Sequence, residues 1–272
     1  MLNKNYLILL LMAILSCKNK LELSSTILIG NDPNFKIIAH NDSGFETTNR
    51  KVDVFGIPIY AYSEVEDPKL LHAANILAQY LDNDEDGKVD NPFLISTLLA
   101  NNASLFMWKY ESQINLNAQD LGADETVPLW HIQNQEERFD ASLEEIWHVI
   151  TSSGYSRAYP EVFGEYEGSS LTIAMDIARG GNFKIIPNSY PDNAWFTYDD
   201  YTCEYECMIT EYIYWGMTSI LGAQKNRSNE ISQEWDLHTR DLVEEKDKLL
   251  FSLLTDSKYN FPSVLPDGTY LR

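Results

Sequence analysis

The clearest alternation of apolar and polar positions runs from Phe139 to Tyr155. Apolar residues recur there at i, i+3, i+4 and i+7, as Leu143, Ile146, Trp147 and Ile150. Asp140 or Ser142 precedes them and is a suitable N-cap. The pattern predicts an amphipathic helix whose apolar face packs on a core.

The N-terminal half of the chain contains both strand-like and helical patterns. Lys51–Val65 is rich in β-branched residues, with a bulge or sheet edge expected at Gly56 and Pro58. A helix is predicted from Asp67 to Leu81, with Pro68 in its first turn, and another from Pro92 to Ala100. Short strands are expected at Lys36–Ala39 or Thr26–Ile29, at Ala103–Trp108 and at Val127–Ile132, and Gln113–Asp124 is expected to be irregular.

The C-terminal half is predicted to be helical. A short helix is expected over Ser169–Gly181, where two glycines end it. The longest apolar and aromatic segment, Tyr198–Ala223, predicts a long helix, and Glu234–Thr255 predicts the last one. We therefore expect a mainly helical α+β fold with a small sheet, forming a single domain over residues 51–272.

Composition and charge narrow the class of protein. The chain has 272 residues, of which 44% are hydrophobic, so a sizeable core is expected. Its net charge is −21, which opposes binding to the phosphates of nucleic acid and suits the binding of cations. Nucleic acid is therefore not an expected partner.

The N-terminus predicts export. Lys4 precedes an apolar run from Tyr6 to Leu15, and the length of this run fits a signal peptide over residues 1–17 better than a membrane span. The end of the run, Ile14-Leu15-Ser16-Cys17, resembles a bacterial lipobox. That resemblance implies lipidation of Cys17 and attachment to the cell envelope, and the alternative is an ordinary cleaved signal in a secreted protein. Residues 18–50 are polar and are predicted to be mostly a tether.

Two further cysteines, Cys203 and Cys207, lie four positions apart. In an exported protein such a pair is expected to form a disulfide, and one helical turn at a helix start permits the required approach. Two buried thiols are the alternative.

An acidic segment follows the first predicted helix. Aspartates stand at positions 1, 3, 5 and 9 of this segment, as Asp82, Asp84, Asp86 and Asp90, and Gly87 stands at position 6. The segment resembles an EF-hand loop over residues 82–93, which implies Ca²⁺ held by these aspartates and by the carbonyl of Lys88. Phe93 replaces the glutamate that ends such a loop, so the expected role is structural. An acidic turn without an ion is the alternative.

The central helix carries chemistry away from its apolar face. Glu144 and His148 are four residues apart and project from the same side, where they can hold one metal ion. Glu145 stands beside them, where a base would be. The alternative is a solvated helix face with His148 paired to neighbouring carboxylates.

Glu144-Glu145-Ile146-Trp147-His148 resembles the HExxH helix of the zincin metallopeptidases, with glutamate in place of the first histidine. The gluzincin branch takes its third ligand from a glutamate on a later helix. Glu211, in a segment that is otherwise apolar and aromatic, matches that position best, ahead of Glu204 and Glu206. The resemblance implies Glu144, His148 and Glu211 as ligands of Zn²⁺ or Mn²⁺ and Glu145 as the base.

Two functions from different classes follow. The first is an exported metal-dependent hydrolase, a degenerate zincin-type peptidase acting on a peptide or polymer. The second is a non-catalytic, calcium-stabilised surface lipoprotein that binds a polymer or protein partner.

Overall fold

The computed structural model describes residues 35–131 and 138–271. Five strands form one sheet: β1 (Ile38–Ala39), β2 (Arg50–Val54), β3 (Ile57–Ala61), β4 (Leu105–Trp108) and β5 (Gln119–Gly122). The first helices are α1 (Asp67–Leu81), α2 (Pro92–Ala100) and α3 (Ser142–Ile150), and a π-helical turn, Thr151–Tyr155, continues α3. After it come α4 (Ser156–Ala158), α5 (Pro160–Phe163), α6 (Ser170–Ala178), α7 (Tyr205–Leu221), α8 (Ser228–Ile231), α9 (Arg240–Lys246) and α10 (Lys248–Leu254). The predicted α+β class is confirmed.

The sheet combines an antiparallel hairpin with parallel strands. β2 and β3 pair antiparallel through a turn at Phe55 and Gly56, whose φ values are 48° and 88°. The expected bulge at Gly56 is therefore wrong, because positive φ at two successive residues makes a tight hairpin turn. β3, β4 and β5 are parallel, and α1 and α2 provide the crossover that a parallel pair requires.

The folded body begins before residue 51. β1 pairs antiparallel with β2, and the Phe45 ring stacks on Tyr60 with centroids 3.9 Å apart. The end of the predicted tether, from Phe35 to Asn49, therefore packs on the sheet. The predicted signal peptide, Cys17 and the possible strand Thr26–Ile29 lie outside the described residues.

Several element boundaries differ from those predicted. Gln119–Gly122 is a strand although an irregular segment was expected. Pro128–His131 forms turns where a strand over Val127–Ile132 was expected, and Ile132 lies outside the described residues. α7 begins at Tyr205, seven residues later than predicted. The last predicted helix is divided into α9 and α10 at Asp247, which is buried and accepts hydrogen bonds from Trp195 and Tyr212.

The central helix is held in place by a buried carboxylate just before it. Its predicted apolar face is buried, and Tyr80 of α1 packs on Trp147 with ring centroids 5.0 Å apart. Asp140 accepts hydrogen bonds from the Ser142 hydroxyl at 2.7 Å and from the Val127 N–H at 3.0 Å, and its other oxygen lies 2.7 Å from Nε2 of His72 in α1. These contacts fix α3 against α1.

The C-terminal segment returns to the N-terminal half. The Asn83 side chain accepts hydrogen bonds from the N–H groups of Ser263 and Val264, both at 2.8 Å. Tyr270 donates to Asp82, and the Leu271 N–H donates to Glu85 at 3.0 Å. The acidic loop is therefore braced by residues almost two hundred positions later in the chain.

In the part of the chain that the structure describes, no helix is both long and apolar enough to span a membrane.

Replacing the buried carboxylate of Asp140 should destabilise the protein. Burial by itself raises the pKa of Asp140, but the neighbouring His72 and the hydrogen bonds from Ser142 and Val127 lower it below its ordinary value. Asp140→Ala leaves His72 and these donors without their partner, and we expect a loss of about 3–5 kcal/mol in the free energy of unfolding. Urea denaturation measures this, with exposed Asp192→Ala as the control. A loss for Asp140→Ala no larger than that of the control would contradict the role assigned to Asp140.

Candidate metal centre

The three side chains predicted to be metal ligands come from two distant segments of the sequence and meet between α3 and α7. Glu144, His148 and Glu211 each offer one ligand atom, and these three atoms lie within 4.8 Å of one another. α3 carries the first two residues one turn apart, and α7 packs against α3 and carries the third. Carboxylate and imidazole groups at this separation can hold a divalent cation.

The imidazole of His148 lies between two carboxylates. Its Nε2 atom is 3.8 Å from Oε1 of Glu211, and its Nδ1 atom is 3.7 Å from Oε2 of Glu145. Only 7% of His148 is exposed, and Nε2 has no hydrogen-bond partner among the described residues. A buried nitrogen that faces the Glu211 carboxylate without a hydrogen bond is an available ligand atom.

Glu145 lies beside this group and is not one of its three members. Gln119 of the edge strand β5 donates from Nε2 to Oε2 of Glu145 at 2.5 Å. The same oxygen faces Nδ1 of His148, so Glu145 is positioned both to take up a proton and to orient the imidazole.

Burial changes the ionisation of all three candidate ligands. It raises the pKa of Glu211 to about 7 against the opposing effect of His148, and it also raises the pKa of Glu144. Burial lowers the pKa of His148, but Glu211, Glu145 and Glu144 together raise it to about 9. Without a cation, the centre therefore retains a proton on the imidazole at neutral pH.

Further polar groups that the sequence interpretation missed surround the centre. The Tyr214 hydroxyl lies beside Glu144 and the Tyr198 hydroxyl lies beside Glu211, and each acts to lower the pKa of its neighbouring carboxyl group. Glu234 lies near Glu211. Burial and, to a smaller extent, the charge of Glu211 raise the pKa of Glu234 to about 7. Tyr214 lies three residues after Glu211 on α7, so helical spacing could have indicated it, whereas no local pattern indicates Tyr198 or Glu234.

The N-terminus of α7 carries the predicted cysteine pair. The structure contains a disulfide between Cys203 and Cys207, with Cα atoms 5.3 Å apart. Glu204 and Glu206, which were considered as alternatives to Glu211, are both exposed and do not belong to the cluster.

The acidic loop forms a second group of possible ligands. Oxygen atoms of Asp82, Asp84 and Asp86 lie within 4.8 Å of one another, and Asp90 is not part of that group. Asp90 instead accepts from the Asn83 N–H at 2.8 Å. Lys88 donates through both its backbone N–H and its ammonium group to Asp86, at 2.8 and 3.0 Å. Phe93, at the position of the missing glutamate, is 54% exposed.

Comparisons with protein-family models, with curated proteins and with solved structures found no match to this chain. The resemblances to a zincin helix and to an EF-hand loop therefore stay predictions that rest on short motifs.

The protonation of the centre predicts a pH effect in metal-free protein. The folded pKa of His148, about 9, exceeds its ordinary value of 6.5, so the stability it contributes below pH 6.5 is lost as the pH rises through 9. The folded pKa of Glu211, about 7, exceeds 4.5, so stability from this group is lost as the pH rises through 7. We expect the thermal midpoint of EDTA-treated protein to fall between about pH 6 and about pH 9, and His148→Gln to reduce this slope.

Added Mn²⁺ should raise the midpoint more at about pH 8 than at about pH 6, because metal ligands must lose their protons. Equal stabilisation by the cation at both pH values would contradict this assignment of protons.

Proposed function

We propose that this chain is an exported metal-dependent hydrolase of the peptidase type, with a divalent cation held by Glu144, His148 and Glu211. The observation that carries the proposal is the convergence of these three groups around a buried His148 Nε2 without a hydrogen bond. Two buried carboxylates beside an imidazole are stable only with a cation or with shared protons. A bound cation would supply Lewis-acid activation of water or of a carbonyl group.

Glu145 is the base in this proposal. Its carboxylate is partly exposed and lies beside the centre, held by Gln119. It is positioned to accept a proton from the attacking water, whose oxygen bonds to the amide carbonyl carbon, and to pass that proton to the departing amine. The identity of the residue before it, glutamate instead of histidine, makes the centre more anionic than a zincin site.

The edge strand supports a peptide as the substrate. β5 is the last strand of the sheet, and Gln119 on this strand contacts the proposed base. An extended peptide can add to such an edge through backbone hydrogen bonds, which would bring its amide bonds close to Glu145.

We also propose that the acidic loop binds a structural Ca²⁺ through Asp82, Asp84 and Asp86, with Asp90 and the Lys88 carbonyl completing the site. Support comes from the convergence of the three aspartates and from the tight turn, in which Glu85 and Gly87 have φ values of 56° and 86°.

Removing His148 should remove the metal from the centre. We expect His148→Ala to lose the divalent cation, measured by metal analysis of purified protein, and to lose hydrolysis of peptides. His238→Ala is the matched control, because His238 lies outside the cluster. Metal content unchanged by His148→Ala would contradict the proposal.

Glu145→Gln separates the base from a residue that only orients His148. If Glu145 is the base, the variant keeps the cation and loses hydrolysis by a factor of about 10² to 10⁴. A variant that binds metal weakly would instead assign Glu145 to positioning. Metal binding by the wild type without hydrolysis of any peptide would leave the second function, a non-catalytic surface lipoprotein that binds a polymer or protein partner.

Calcium should stabilise the protein through the acidic loop. We expect Ca²⁺ to raise the melting temperature relative to EDTA and Asp84→Ala to abolish the rise, because that variant removes one ligand. Asp236→Ala, at an exposed site outside the loop, should respond as the wild type does. Identical melting curves of the wild type in Ca²⁺ and in EDTA would exclude this site.

A further inference from the structure

The side chains around Glu144 indicate whether this position is suited to a carboxylate ligand or has only lost the histidine of a zincin helix. Tyr214 is fully buried, and its hydroxyl lies beside the Glu144 carboxylate, where it acts to lower the pKa of that carboxyl group. Its ring also meets the His148 ring edge-on, with centroids 5.7 Å apart. One side chain of α7 therefore touches both candidate ligands of α3.

The hydroxyl of Tyr214 is itself held by two donors. Gln224 donates from Nε2 to this hydroxyl at 3.3 Å, and the Arg227 guanidinium lies close to it. An arginine can only donate, and so can the amide nitrogen of Gln224. Both neighbours therefore face the hydroxyl as donors, and the proton of Tyr214 has the Glu144 carboxylate as its acceptor.

These two donors are fixed in turn. Gln224 donates to Thr218 Oγ1 at 2.9 Å and accepts from Arg227 Nη1 at 2.7 Å. Arg227 is paired with Glu230 through two hydrogen bonds of 3.1 and 2.7 Å, and its guanidinium lies 3.8 Å above the centre of the Phe139 ring. These contacts hold Gln224 and Arg227 in place beside the Tyr214 hydroxyl.

This arrangement suits a carboxylate at position 144 and not an imidazole. A metal-bound imidazole needs an acceptor for its second N–H, whereas the buried hydroxyl of Tyr214, which itself accepts from Gln224, offers position 144 a donor. A carboxylate can accept from Tyr214 with one lone pair and still bind a cation with another. The buried Tyr214 hydroxyl therefore stabilises the ionised form of the Glu144 carboxyl group.

We propose that Tyr214 is a positioning residue that presents Glu144 to the cation, and that the resulting centre of two carboxylates and one imidazole favours Mn²⁺ relative to a centre with two imidazoles. The inference rests on the metal centre proposed above. Oxygen ligands suit Mn²⁺, and imidazole ligands shift preference towards Zn²⁺.

The test compares Tyr214→Phe with Tyr212→Phe. Tyr212 is also fully buried on α7, and its hydroxyl donates to Asp247 at 2.6 Å, so both variants delete one buried hydrogen bond on the same helix. We expect Tyr214→Phe to weaken Mn²⁺ binding, measured by titration calorimetry, about 10- to 100-fold, and Tyr212→Phe to leave it unchanged. Gln224→Met should weaken Mn²⁺ binding in the same direction if Tyr214→Phe does not fold.

Glu144→His tests the choice of metal. We expect the ratio of the Kd for Mn²⁺ to the Kd for Zn²⁺ to rise relative to the wild type. The inference would be overturned if Tyr214→Phe and Gln224→Met bound Mn²⁺ as tightly as Tyr212→Phe does. It would also be overturned if the ratio of the two Kd values did not change in Glu144→His. Either result would leave the proposed function in place. A wild type that binds neither ion would overturn the proposed function itself.

Discussion

The metal centre depends on one constraint, which is that three ionisable side chains are enclosed between the packed helices α3 and α7. Moving a carboxylate out of water is costly, and two carboxylates beside each other raise that cost further. In this protein the cost is reduced by His148 between Glu211 and Glu145, and by donors directed at Glu144. The helices can pack closely here only because each charge has a counterpart, which is a protonated imidazole or a cation.

The sequence predicted the parts of this arrangement that follow from helical spacing. The apolar face of α3 was visible because Leu143, Ile146 and Ile150 repeat with the helical period, and all are buried. The same period paired Glu144 with His148. Glu211 could be selected because an acid in an apolar helix needs a partner, although the sequence alone could not show which helix supplied it.

Other features depended on contacts between distant segments. The strand β5 is short and polar, and it is stabilised by its parallel pairing with β4, which no local pattern reveals. The hairpin turn was missed because a phenylalanine occupies a positive-φ position that usually belongs to glycine or asparagine. The donors to Tyr214 come from the segment after α7, and their role is visible only once that segment folds back on Phe139.

The return of the C-terminal segment to the acidic loop has a consequence for the order of folding. α1 and the loop are early in the chain, yet Gln79 accepts hydrogen bonds from the N–H groups of Asp267 and Gly268, and Asp82 accepts from Tyr270. Contacts between residues so far apart form slowly, because a long loop must close first. The N-terminal half therefore cannot reach its final packing until residues 267–271 have been synthesised, and a chain that lacks them leaves the acidic loop without these hydrogen bonds.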